Sequence, residues 1–395
     1  MLEEQIKKLA QQNAAYVVET RRDLHAHPEL SMKEERTGAL VAEELRRLGM
    51  EVTTGWVGTG VVGILKGAHP GKTVMLRADM DALPIQEATG LPYASQNPGV
   101  MHACAHDGHV AALLGVARVL SAMKDDIHGT VKFFFQPSEE FNDGAGDAVR
   151  QGVLENPKVD YALGMHLWGP VEKGKIAVRK GPLMASPCAF KISIIGKGGH
   201  GALPHTTVDP VAMTVCAIND INYALSRKLS PFDSSVISFC SMHTDSNSYN
   251  IIPGQVDLIG TVRSFDQTLT DQISGTMEKV LAGVCEGWGG SYTFEFDSSI
   301  PPLVNNGPLT EVVKRAAEKM AGPAVYELEN PDMGAEDFSR YACEVPASYF
   351  FVGISEDPAN PAIHHNEKFL WDDDVLQSAV EVMSMAALEV LDAAL

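Results

Sequence analysis

Basic residues are scarce in this chain. Lys and Arg number 31 against 51 Asp and Glu, a formal net charge of −20 over 395 residues. A phosphate backbone needs a basic footprint, so the balance speaks against nucleic-acid binding, and it speaks equally against docking on anionic membranes. No apolar run approaches the roughly 20 residues that span a bilayer. The opening MLEEQIKKLAQQ is charged and lacks the apolar stretch of a secretory signal. Cysteine is sparse and scattered, at Cys104, Cys188, Cys216, Cys240, Cys285 and Cys343, with no CxxC pair. In a chain this long, that spacing argues against a disulfide framework and for a reducing, cytoplasmic compartment. The remaining composition, 45% hydrophobic and 21% charged, is that of a globular protein and excludes disorder or collagen-like repeats.

Two familiar glycine motifs fail on context. Gly58-Thr59-Gly60-Val61-Val62-Gly63 has GxGxxG spacing, but β-branched residues follow its second glycine where a helix should open. Gly71-Lys72-Thr73 resembles the end of a P-loop, yet Gly67 stands one residue too close and a strand follows. GxSxG and HExxH are both absent, which removes the usual marks of an α/β-hydrolase or a zincin.

Periodicity supplies the architecture. Helical spacing runs over about 2–24 and 34–48. Then β-like runs (TGVVGILKG, TVMLRADM, VKFFFQ, YALGMHL) alternate with the amphipathic stretch HVAALLGVARVLSAMK. This predicts an α/β domain with a mainly parallel sheet flanked by helices. From AFKISIIGK to SYTFEFDS the order becomes β-α-β-β-α-β, the split βαβ arrangement of ferredoxin-like domains. The expected organisation is a catalytic domain of residues 1–184 and 300–395, interrupted by an inserted domain of 185–299.

Residues able to bind metal gather where predicted strands end. Asp79 and Asp81 follow one strand, Glu139 and Glu140 another, and His166 lies at the end of a third. Ligands of open α/β sheets collect at such ends. MHACAHDGH adds His102, Cys104, His106, Asp107 and His109 ahead of a long helix. Thiolate, imidazole and carboxylate together suit zinc or a neighbouring transition metal, and the thiolate could bridge two ions. Asp107 is a candidate partner for a liganding imidazole. Of the Glu139–Glu140 pair, one can ligate while the other takes a proton, the division that metal-assisted hydrolysis requires. His364-His365 follows a further strand, and one of the two can ligate. The bland alternative is a set of satisfied polar loops around a structural cysteine. A cysteine nucleophile beside a histidine is the other, and that enzyme would survive a chelator.

The segments RRDLHAHPELS, LRADMDALP, MHACAHDGH, FFQPSEE, GMHLWG, GKGGHGALPH, NIIPGQVDLIGTVRSF, GAEDFS and HHNEKF occur in this order between Arg21 and Phe369. In them the chain closely resembles the M20 metallopeptidase family, specifically its amidohydrolase branch. The resemblance implies two divalent metals (zinc, manganese, cobalt or nickel) held by Cys104, His106, Glu140, His166 and His365. It places Glu139 on the catalytic base and Asp81 on an acidic residue supporting the site. His200 falls on an oxyanion-binding histidine, and Asn250 and Arg263 fall on residues that grip a substrate carboxylate. It further implies a ferredoxin-like lid through which two copies dimerise. The implied reaction is hydrolysis of N-acyl-amino acids (acetyl-, benzoyl- or arylacetyl-), a dipeptidase or carboxypeptidase being the nearest alternative and a non-catalytic binding protein a remoter one. In one departure, Ala105 stands where the family usually has Gly. Ala does not enter the left-handed region freely, so it could shift metal geometry or preference slightly, though it removes no ligand.

Overall fold

The computed structural model describes residues 2–141 and 143–394. The chain separates into two compact units, one of Met1–Leu183, Val304–Pro331 and Asp337–Leu395, the other of Met184–Leu303 and Asp332–Glu336.

The larger unit opens with helices α1 (Leu2–Ala26) and α2 (Glu35–Arg47). Strands β1 (Glu51–Trp56), β2 (Gly60–Lys66) and β3 (His69–Asp79) follow, then helix α3 (His106–Ala122) and strand β4 (His128–Gln136). Helix α4 (Gly144–Arg150) leads to strands β5 (Tyr161–Glu172) and β6 (Ile176–Val178). Its sheet has eight strands in the order β1, β2, β4, β3, β5, Ala347–Ser355, β6, Val325–Glu327. The centre is parallel: β3 runs with β4 and β5, and β5 with Ala347–Ser355. The flanks β1–β2–β4 and the β6 pairing to Ala347–Ser355 are antiparallel. Central strands in such a sheet are covered on both faces, so they read as continuous apolar runs. Val131, Phe133, Phe134 and Phe135 of β4 and Val74, Met75 and Leu76 of β3 are accordingly all buried. Helix α3 is buried nearly all round, from His106 through Ala117, which explains its apolar composition on every face. Of the GxGxxG-spaced glycines, Gly60 and Gly63 lie in β2 and Gly58 in the turn before it, so that segment makes strand rather than a phosphate loop.

One expectation about strand ends needs correction. His166 is the sixth residue of a strand that continues to Glu172. It reaches the rim of the sheet because the β3 ladder to β5 stops at the Arg77–Gly164 pair. Beyond that point β5 has lost its neighbour on that flank.

In the smaller unit, strand Ser186–Ile195 is followed by helix Pro210–Lys228, strands Ser235–Thr244 and Gln255–Ser264, helix Gln267–Trp288 and strand Ser291–Asp297. Ser186–Ile195 and Gln255–Ser264 are the two central strands of an antiparallel sheet with Ser235–Thr244 and Ser291–Asp297 at its edges. This is the ferredoxin-like arrangement read from the sequence. Period-two burial puts Cys188, Phe190, Ile192 and Ile194 into a core with Met213, Ile221, Ile273 and Leu281 from the helices. Each helix starts on an aspartate cap: Asp209 accepts from Val211 and Ala212 N–H, and Asp266 accepts from Leu269 N–H.

Candidate metal centre

Five residues of the larger unit, Cys104, His106, Glu140, His166 and His365, bring their donor atoms together. The ligating atoms of Cys104, His106 and His166 lie within 4.8 Å of one another, as do those of Cys104, Glu140 and His365. Cys104 belongs to both sets, which suits a thiolate shared between two ions. Cys104 Sγ is 3.5 Å from His166 Nε2. Two donors at metal–sulfur and metal–nitrogen distances of ~2.3 and ~2.05 Å around a tetrahedral ion stand ~3.5 Å apart. His365 Nε2 and Glu140 Oε1 are 3.1 Å apart. Glu139 joins His106 and Glu140 in a third set within the same 4.8 Å limit.

Backbone and neighbours aim these side chains. His106 Nδ1 donates to the Asp81 carbonyl at 2.9 Å, which turns Nε2 toward Glu140 Oε1, 3.9 Å away. His166 Nδ1 donates to the Leu167 carbonyl at 2.9 Å, leaving Nε2 bare. After β4 the chain kinks at Ser138, whose φ is +61. The kink is held by two buried carboxylates: Glu34 accepts the Ser138 N–H at 3.0 Å and Asp81 the Glu140 N–H at 3.0 Å. Asp81 also accepts from the Ser31 hydroxyl at 2.6 Å, so it supports both the His106 loop and the Glu139–Glu140 turn. The 364–365 loop approaches β5 closely because residue 169 is glycine. A Cβ there would stand 2.0 Å from the Ala362 carbonyl oxygen. Gly169 N–H donates to His364 Nε2 at 3.0 Å, and His365 N–H donates to the Ala103 carbonyl at 2.8 Å.

The donor set fits divalent cations. His106 Nε2 is buried and makes no hydrogen bond, a costly state unless another partner is supplied. Burial, then the carboxylates of Glu140, Glu139 and Asp79, push the Cys104 thiol well above its usual pKa. Burial opposes protonation of His106, but Asp79, Asp81 and Glu140 outweigh it and lift its pKa to about 10. The cluster thus carries excess negative potential, which a cation neutralises. His166 is pushed the other way, by burial and then by His109 and His364, and stays neutral as a ligand must.

Several residues play parts that local sequence did not show. Asp107 does not touch a candidate ligand. It meets His25 Nδ1 at 2.8 Å and Arg21 Nε at 2.8 Å, so it ties α3 to the end of α1. His364, passed over for His365, points Nδ1 at Cys104 Sγ from 3.7 Å. Its Nε2 accepts from Gly169, so Nδ1 carries the proton and faces the sulfur as a donor. His109 is bonded at both ring nitrogens, to Asp79 and to Leu167. Long-range partners such as Glu34, Arg21 and His25 leave no local pattern.

Ala105 adopts the left-handed conformation that its Cβ disfavours, with φ +67 and ψ 17, at the start of α3. The Ala105 side chain carries the strain of that backbone. Ala105→Gly is expected to be neutral or stabilising by up to ~1 kcal/mol, where Ala→Gly is ordinarily destabilising. Denaturant melts of the two proteins check this.

His200, Asn250 and Arg263 lie in the smaller unit. His200 pairs with Ile251 between two short strands, and the Asn250 carbonyl accepts the Gly201 N–H at 2.8 Å, so these two are neighbours. Arg263 lies on strand Gln255–Ser264 in the four-stranded sheet, with Nη1 on Thr261 Oγ1 at 2.9 Å.

This fold and this donor set define a metallohydrolase. The profile of Peptidase family M20/M25/M40 matches residues 75–389, and the chain belongs to that family. It is 45% identical over 306 residues to an N-acyl-L-amino acid amidohydrolase of Geobacillus stearothermophilus, covering 77% of this chain and 82% of the relative. It is 40% identical over 394 residues to thermostable carboxypeptidase 1 of Saccharolobus solfataricus, covering 98% of each. The solved structure of the Bacillus subtilis YXEP protein, a dinuclear metal-binding peptidase from the M20 family, matches with a TM-score of 0.83 and 33% identity over 97% of this chain and 99% of that one. The chain is therefore an enzyme of the amidohydrolase and peptidase kind, with a site suited to two metal ions. Among the described residues, no helix is long and apolar enough to cross a membrane.

Proposed function

We propose that the chain hydrolyses the amide bond of N-acyl-amino acids, releasing a carboxylic acid and a free amino acid. The supporting observation is that Cys104, His106, Glu140, His166 and His365 meet at one rim of the sheet, with Glu139 beside them. Divalent cations held by those five residues supply Lewis acidity to an amide carbonyl and acidify water. Glu139 takes a proton from the attacking water on a carboxylate oxygen and delivers one to the leaving nitrogen. Asp81 keeps the Glu139–Glu140 turn and the His106 ring in place through the Glu140 N–H and the loop it accepts from. His200 donates to the oxygen that gains charge. Arg263 and Asn250 hold the free carboxylate of the amino acid, a task suited to the guanidinium fork. We further propose that two copies associate through the smaller unit. The described cysteines are all free thiols, which accords with a reducing, cytoplasmic setting.

The test is a panel of acetyl-, benzoyl- and indoleacetyl-amino acids against dipeptides and C-terminally extended peptides, run on metal-reconstituted enzyme. Turnover of the N-acyl-amino acids above the peptides is expected, and it should disappear after chelation. The named carboxypeptidase relative favours the competing reading, and preferential trimming of peptides from the C-terminus would establish it instead.

A further inference from the structure

We propose that His109, backed by the buried chain Asp337–Arg77–Asp79, is a positioning residue that fixes which nitrogen of His166 faces Cys104. Arg77 is buried and held from three directions. Its Nη2 donates to Asp337 at 2.8 Å, its Nε to Gln136 Oε1 at 2.9 Å and its Nη1 to Asp79 at 2.6 Å. Gln136 Nε2 in turn donates to both Asp337 oxygens, at 2.9 and 2.8 Å, so the guanidinium has no room to rotate. The second Asp79 oxygen lies 2.6 Å from His109 Nδ1. An ionised carboxylate only accepts, so His109 Nδ1 carries the proton.

The opposite side of the ring imposes the same tautomer independently. Leu167 N–H points at His109 Nε2 from 3.0 Å, and a backbone N–H only donates, so Nε2 must be bare. Leu167 lies beyond the last β3–β5 pair, and His109 provides the acceptor that no strand supplies there. The carbonyl of the same Leu167 accepts from His166 Nδ1 at 2.9 Å. Leu167 is thus held at both its polar atoms, and His166 is left with Nε2 bare, 3.5 Å from Cys104 Sγ. The His109 and His166 rings also meet edge to face, with centroids 4.5 Å apart. Both nitrogens of His109 are committed, so it orients a ligand without being one. Partners of this kind typically govern 10–100-fold in metal affinity.

The inference rests on His166 serving as a metal ligand, and the experiment separates the two. The native protein, freed of metal and titrated with Co2+ against a competing chelator, should bind it with a thiolate charge-transfer band. Failure to bind would overturn the metal reading itself. Given binding, His109→Asn keeps a donor for Asp79 but is too short to accept from Leu167, and Co2+ affinity should fall ~10–100-fold. His109→Gln carries an oxygen to the Nε2 position and should recover most of that loss. Unchanged affinity in His109→Asn would overturn the relay. Nitrogen NMR of the native zinc-loaded enzyme, labelled at histidine, tests it with no substitution at all. His109 should be protonated at Nδ1 only, and protonation at Nε2 would overturn the proposal even if His109→Asn fails to fold.

Discussion

Glu139→Ala is expected to lower kcat by roughly 10²–10⁴-fold, the usual contribution of a positioned general base, while the protein still retains its metals. The expectation follows from the turn that separates two adjacent carboxylates. Glu140 Oε1 faces His365 Nε2 and the Cys104 set, and Glu139 stands within the same 4.8 Å limit of His106 and Glu140 without entering the two sets that share Cys104. Removing Glu139 therefore takes away a proton acceptor and leaves the Cys104 triads whole. Steady-state kinetics combined with elemental analysis checks both halves. A kcat within a few-fold of the native enzyme would remove Glu139 from the chemistry, and a loss of metals would recast it as a ligand.

The second large effect concerns stability. Arg77→Met leaves Asp79 and Asp337 as buried carboxylates without their cation, and breaking one side of such a cluster typically costs about 3–5 kcal/mol. Burial raises the pKa of Asp79, and His106, Arg77 and the His109 N–H outweigh it and hold it well below the ordinary carboxylate range. The cost should appear as a lower denaturant midpoint for the larger unit. A midpoint equal to that of the native protein would mean that the network contributes nothing net.

Much of the site was legible because its residues sit in short, dense motifs at places where secondary structure must change. MHACAHDGH runs into a helix that is buried on nearly all sides, with His106, Asp107 and His109 in its first turn rather than ahead of it as expected, and QPSEE follows a strand of three phenylalanines. The resemblance to the M20 amidohydrolases then sorted the candidates, including His365 over His364. The split βαβ of the smaller unit was legible because its strands alternate strictly, Cys188, Phe190, Ile192 and Ile194 facing inward. What escaped was partnership across the chain. Arg77 reads as an ordinary strand cation until Asp337 and Gln136 fold onto it. Asp107 reads as a partner for a ligand beside it, yet His25 and Arg21 claim it. His166 looked like a strand end, and only the register of β3 shows that the neighbour stops while its own strand goes on. Short edge strands such as β1 and Val325–Glu327 carry little apolar pattern, being mostly exposed, and periodicity does not reveal them.

The account stands on Cys104 serving two cation sites at once. Its most direct test is elemental analysis of the native protein and of Cys104→Ala after equilibration with zinc and removal of excess metal. Two ions per chain are expected in the native protein, as in the dinuclear relative, with both reduced together in the variant. Full zinc content in Cys104→Ala, or a native protein that retains none, would contradict it.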